Sequence, residues 1–342
     1  MRPARKLREE GSAEVMNVGC FGKLPIYADF IRYNAGSGEV RILDQWLQEG
    51  IHWSRLKLNQ KWQQGYTTMP PYGFFLTGPG FKSGLFGVFV PGMDTGGRLF
   101  PFSIFTTLQP DDMPLNGMLL PVRYSMFLDQ AQSLALEKWK GKDVRALTEE
   151  VERLGRLPIP GQTEAESEYL KLKDSLTLEK FWSGMHDRYE KPAERYALIQ
   201  GLADVLLPLR GSSGASGLSY GVALPLSLSS GPGGLKAGVS FWMDIVFSLL
   251  CGDANRSYSF FWSRADADSG ILFLFLDTPL PKSFSAFIHP DMDEDSVYDL
   301  GKLRLSMVEK LSGKLQGKIK EVMENHASSM TDVINGLKAT WT

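Results

Sequence analysis

Histidine and cysteine are scarce in this sequence, with four of the first and two of the second among 342 residues. His52, His186, His289 and His326 are scattered, and no two stand at helical spacing, so the clustered ligands of a metal centre are missing. Cys20 and Cys251 lie far apart in apolar contexts. One disulfide is open to them, but two buried reduced thiols suit them better, which fits a reducing cytoplasm. An excess of either charge is also absent. The 37 basic and 39 acidic residues leave a net charge of −2, a balance that announces neither a nucleic acid nor a membrane surface as partner. No apolar run reaches the length of a membrane helix. The first residues, MRPARKLREEGSAEVM, lack the apolar stretch of a secretory signal and read as a disordered leader over 1–16. A cytoplasmic chain without membrane insertion is the expectation.

Apolar and aromatic residues, at 43% and 11%, are plentiful enough to build one large core or two. Residues 18–24 read as a short strand stopped by Pro25. Over 41–64, Leu43, Trp46, Leu47, Ile51, Leu58 and Trp62 share one helix face, and Trp46, Trp53 and Trp62 are expected in the core. GFFLTG (73–78), GLFGVFV (84–90) and RLFPFSIFTTL (98–108) are strands, the last two a hairpin around PGMDTGG. Nearly every residue in them is aromatic or branched, so both sheet faces should be covered. Helical spacing fills 121–207. A Gly/Ser tract at 211–219 precedes YGVALPL (a strand), AGVSFWMDIVFSLLCG (a helix or buried run) and the strands SYSFFWSR and GILFLFLD. A long helix over about 294–324 is expected to close the chain, with Asp293, Glu294 and Asp295 at its start.

The fold class is therefore α/β (α+β), mainly antiparallel sheet flanked by helices. Four segments are expected: the leader 1–16, an αβ domain over 17–120, a helical region over 121–210, and a C-terminal αβ unit over 211–342. The order strand–helix–three strands–helix of the first αβ part suggests a longin- or profilin-like layer. The two ends of the chain are alike in order, which leaves an internal duplication open.

The Gly-Lys pair of NVGCFGKLPIYADFIR (17–32) invites comparison with a phosphate-binding loop. A Walker A loop needs Gly five residues before its Gly-Lys, and here that position is Asn17. It needs Ser or Thr after the lysine, and Leu24 stands there. Finally, it needs a helix starting at the lysine, which Pro25 does not favour. GPGFKSG (78–84) has the wrong spacing for a dinucleotide loop. DMDEDS (291–296) lacks the Gly and distal Glu of a calcium loop. No Gly-x-Ser-x-Gly elbow is present. No cofactor, metal or catalytic residue is indicated by these patterns, which leaves an enzyme neither indicated nor excluded. A hydrolase with a site assembled from loops stays open as an alternative.

GCFGKLPIYADFIR resembles the N-terminal signature of the TagF (ImpM) family, accessory proteins of bacterial type VI secretion. Gly22, Lys23, Leu24, Pro25, Asp29, Phe30 and Arg32 carry the likeness, and Ala28 stands where the family has Gly, leaving open the shape of the turn before Asp29. A second element matches at Pro91, Asp94, Gly97, Arg98, Phe100 and Pro101, and the step Trp46–Leu47 fits the helix between them. The resemblance covers about residues 18–108. Beyond it, FWMDIVFSLL and GILFLFLDTPLP are loosely similar to the C-terminal part of longer members. The metal-binding Asp-Gly motifs of the phosphatase domain fused to some relatives are not found.

The resemblance implies a cytoplasmic, non-enzymatic regulator that represses type VI secretion post-translationally, with a forkhead-associated scaffold component as the protein partner. A structural subunit of the apparatus is a further alternative. For the motif charges, the structural expectation is that Asp94 pairs with Arg98 across the hairpin turn and Lys23 with Asp29, as isolated surface pairs each contributing about 0–1 kcal/mol. The sharper expectation is that both loops meet at one sheet end and form a polar surface for a partner.

Overall fold

The computed structural model describes residues 16–78, 81–109, 117–139, 141–185, 187–211, 218–226, 234–251, 257–264, 270–290 and 295–341. The chain opens with strands β1 (Val18–Gly22) and β2 (Ile31–Tyr33) and helices α1 (Gly38–Leu58) and α2 (Trp62–Thr68). Strands β3 (Tyr72–Leu76), β4 (Gly84–Val90) and β5 (Phe102–Leu108) follow. Helices α3 (Leu120–Arg123), α4 (Ser125–Ala135), α5 (Val144–Leu154), α6 (Gln162–Ser175), α7 (Leu178–Ser183) and α8 (Pro192–Leu206) make the helical middle. The remainder is β6 (Gly221–Leu226), α9 (Gly234–Leu249), β7 (Ser259–Arg264), β8 (Gly270–Phe275), α10 (Phe284–Ile288) and β9 (Val297–Asp299), then α11 (Leu305–Ser312), α12 (Gly317–Glu324) and α13 (Met330–Trp341).

The nine strands of the described residues join one sheet, in the order β2-β1-β5-β4-β3-β7-β8-β6-β9. Every neighbouring pair is antiparallel except β6 and β9. The C-terminal strands therefore extend the N-terminal sheet, through Gly73–Phe75 of β3 against Phe260–Trp262 of β7. Within the first half the order is 2-1-5-4-3, and the mainly antiparallel sheet flanked by helices is as expected. The three-residue β2 is too short to leave a periodic signal in the sequence.

Alternation along each strand sends side chains to two cores. Cys20, Phe75, Phe86, Val88 and Ile104 meet the helical middle and α9 with α11–α13. Phe21, Phe74, Phe89, Phe105, Phe261 and Phe273 meet α1, α2 and α10 on the other face. Both faces are covered, as the near-continuous aromatic runs required. The helix following the first strands of each half is α1 in one case and α9 in the other, and the two lie on opposite faces. A twofold axis relating antiparallel β3 and β7 would put them on the same face. The similar order of the two ends is thus not a repeat of one unit.

Helix α6 is fixed to α9 by a buried polar contact. The Tyr169 hydroxyl donates to Asp244 Oδ2 at 3.0 Å, and Lys173 Nζ reaches the same oxygen at 3.0 Å. Burial and the adjacent carboxylate both push the Tyr169 phenol upward, which keeps it protonated and donating.

Several sequence expectations need correction. The long closing helix is absent: β9 occupies 297–299, and α11 and α12 are separate helices. Helix α11 ends at Ser312 and α12 begins only at Gly317, whose φ of +71° is a left-handed conformation that glycine adopts at low cost. The acidic start proposed for that helix falls mostly at 291–294, outside the described residues. The first helix ends at Leu58, because Asn59 turns to φ 49° before α2 begins. Trp53 is 52% exposed rather than core, since it sits just past the edge of the buried face of α1. Cys20 is buried and free, whereas Cys251 is exposed and free, held at φ 56° just after α9. Burial pushes the Cys20 thiol up to about 12, so it is an inert core group. Residues 1–15 of the expected leader lie outside the described residues, and Met16 is packed, its N–H donating to Gly155 O at 2.9 Å.

Candidate functional site

The two motif loops meet at one end of the sheet. Strand β1 delivers the first. Gly22 has φ +132°, and a Cβ there would stand 2.0 Å from the carbonyl oxygen of Pro101, so only glycine lets the end of β1 pass this close to the start of β5. Pro25 follows at the second position of a turn closed by Tyr27 N–H to Leu24 O at 3.4 Å, a position its fixed φ favours. The β4–β5 hairpin delivers the second loop. Its turn is closed by Gly97 N–H to Asp94 O at 3.0 Å and Asp94 N–H to Arg98 O at 3.1 Å, with Gly97 at φ +80°.

Asp94 is the centre of the arrangement. It is 1% exposed, and its carboxylate accepts four hydrogen bonds. Oδ1 takes the backbone N–H of Gly96 and of Arg98, each at 2.9 Å. Oδ2 takes Lys23 Nζ at 2.8 Å and Arg98 Nε at 2.7 Å. Lys23 is itself only 6% exposed, and its ammonium lies 4.9 Å above the ring of Phe30. Two further bonds tie loop to loop: Arg98 Nη2 donates to Ala28 O, and Thr95 N–H donates to Tyr27 O at 3.2 Å.

The expected Asp94–Arg98 pair is present, but Lys23 pairs with Asp94, 71 residues away, and not with Asp29. These are not isolated surface pairs, because the shared carboxylate is buried. Asp29 is exposed and accepts the N–H of Phe30 at 2.8 Å. Ala28 is not among the residues of positive φ, so the turn before Asp29 needs no glycine here.

An aromatic support lies under the loops. Phe21 stacks on Phe30 at 5.4 Å, and Phe100 meets both rings edge-on at 5.6 and 4.8 Å. The guanidinium of Arg32 lies 4.6 Å over Phe21 and 5.5 Å over Phe30, and contacts Asp44 at 3.4 Å. From behind, the Tyr66 hydroxyl donates to Gly92 O at 3.2 Å and accepts from Gly92 N–H at 3.1 Å. Of the motif residues, Trp46 alone stands apart. It belongs to the α1 core, stacked on Phe261 and donating to Leu280 O at 3.4 Å. Tyr27 and Met93, which are not motif residues, are exposed at 49% and 43% on these loops. A large apolar residue between turn formers was the available signal for both.

Burial acts to raise the pKa of Asp94, but the bonds from Lys23 and Arg98 outweigh it and hold the carboxyl well below the usual carboxylate range. Its unfolded counterpart titrates near ~3.9. A depressed folded pKa gives stability that is complete above the unfolded value and is lost as pH falls through the folded one. Denaturant unfolding between pH 7 and pH 3 should therefore show stability falling more steeply below about pH 4 in the wild type than in Asp94→Asn. Parallel curves would refute it.

Among the described residues, no group of three His, Cys, Asp or Glu is placed to hold a metal ion. A separate cleft of about 660 Å³ lies beside β9, lined by residues including Tyr220, Phe273, Tyr298, Asp299, Lys302 and Arg304, and its lining contains neither His nor Cys. No helix among the described residues is long and apolar enough to cross a membrane.

Residues 19–154 match the family profile described as TagF N-terminal domain, Type VI secretion system-associated. That span holds β1–β5 and α1–α5, and so both loops of the site. The crystal structure of PA0076 from Pseudomonas aeruginosa PAO1 is similar at 20% identity and a TM-score of 0.47, over 81% of this chain and 96% of that one. No curated protein matches.

Proposed function

Because the chain carries a TagF N-terminal domain and is type VI secretion-associated, we propose that it is a cytoplasmic, non-enzymatic regulator of that system. It acts after translation, by binding a protein of the apparatus. The observation that carries this reading is the saturation of Asp94, whose carboxylate is bound by two cations and two backbone N–H groups. A carboxylate held this way is a poor proton acceptor, which disfavours general-base chemistry at the site. It is well suited to fixing two loops into one rigid surface.

The partner proposed is the forkhead-associated scaffold component, and the direction proposed is repression. Both follow from the family resemblance of the two motifs. The test is secretion from a host strain lacking the gene, together with recovery of the scaffold on the tagged protein. Raised secretion and co-purified scaffold are expected. Unchanged secretion with no apparatus protein recovered would sink the reading. A stable stoichiometric complex with sheath or baseplate proteins would instead make the chain a structural subunit.

A further inference from the structure

We infer that Arg98, Tyr27 and Met93 form the docking surface of the joined loops, and that its occupant is a protein segment presenting a carboxylate beside an apolar side chain. This deepens the binding reading above and rests on it. The first support is the state of Arg98. Its Nε is spent on Asp94 and one Nη2 hydrogen on Ala28 O, and no other hydrogen bond from its side chain is made among the described residues. Its side chain is nevertheless 61% exposed. The guanidinium is thus held in place from behind while its remaining N–H groups face solvent. That removes part of the entropic cost of engaging a partner, and a guanidinium matches the two oxygens of a carboxylate.

The second support is the company it keeps. Tyr27 and Met93 belong to the same two loops, and the bond from Thr95 N–H to Tyr27 O pins those loops together. Two large apolar side chains are exposed where turn residues would ordinarily be polar, on a backbone fixed by a buried carboxylate. Tyr, Met and Arg are residue types enriched at interfaces. Lys23 and Arg98 share the single charge of Asp94, which leaves the cluster one positive charge in excess. Asp29 is the exposed anion nearby; its presence weakens the attraction and so predicts the sign of its removal.

The test uses the full-length protein and a displayed library of short random peptides, so it does not depend on the identity of the cellular partner. Selection on the wild type should enrich peptides with Asp or Glu next to a large apolar residue. Binding of those peptides should weaken by about 30-fold in Arg98→Glu and in Tyr27→Ala/Met93→Ala, the size of a hot-spot loss. The second variant leaves Asp94 and its four bonds intact, so it reports on the surface even where the first fails to fold. Asp29→Asn should bind more tightly at low salt. Failure to enrich peptides, enrichment without acidic residues, or equal binding to folded variants would overturn the surface assignment. The secretion assay would be untouched by that result, so the two readings can fail separately.

Discussion

Phe287→Ala is expected to lower the unfolding free energy by about 3–5 kcal/mol, measured by urea or guanidinium denaturation with an unchanged slope. The ring is fully buried on α10, within the core that α1 and α2 also cover. It meets Trp46 and Tyr72 on the N-terminal side of the sheet and Phe261 and Phe273 on the C-terminal side. Tyr72, Phe261 and Phe273 sit on strands held by their pairing and Trp46 sits on α1, so they cannot readily collapse into the space left behind. The substitution therefore strikes the joint between β3 and β7. A loss under about 1 kcal/mol would mean that the two halves of the sheet do not depend on this core.

The second large effect is a coupling. Asp94→Leu alone should lower the thermal midpoint by several degrees, because it strands the buried ammonium of Lys23 and leaves the N–H groups of Gly96 and Arg98 without their acceptor. Lys23→Met combined with Asp94→Leu should be more stable than Asp94→Leu by itself, since no buried charge is then left unpaired. Thermal melts of the two single variants, the double variant and the wild type close the cycle. Simple additivity would remove the shared ion pair from the account of the site.

Most of the strands were legible before the fold was known. Runs such as FSIFTTL have both faces covered in the structure, and the hairpin around Asp94 lies where Gly and Pro bracket it. What failed were the inferences from periodicity near glycine and at segment ends. The 294–324 pattern of apolar residues is real, yet it is shared by a turn at Leu300 and by two helices, one ending at Ser312 and the next starting at Gly317. Periodicity records which residues face the core and does not report the interruption between them. Trp53 illustrates the same limit, because its place beside a buried stripe differs by only part of a turn from a place within it.

At the site, the motif residues were nameable and their partners were not. The sequence by itself determined local matters: the glycine needed at Gly22, the proline-led turn at Pro25, the tight hairpin turn at Gly97, and a sheet buried on both sides. Each rests on conformational preference or side-chain character within a few residues, although at Gly22 the close pass of Pro101 reinforces the local demand. The tertiary structure alone decided that Lys23 reaches Asp94 rather than Asp29, that β7 continues the sheet from β3, and that Arg98 is braced yet open to solvent. These depend on contacts between segments distant along the chain, where the closure of the sheet chooses among pairings that local preference leaves equal.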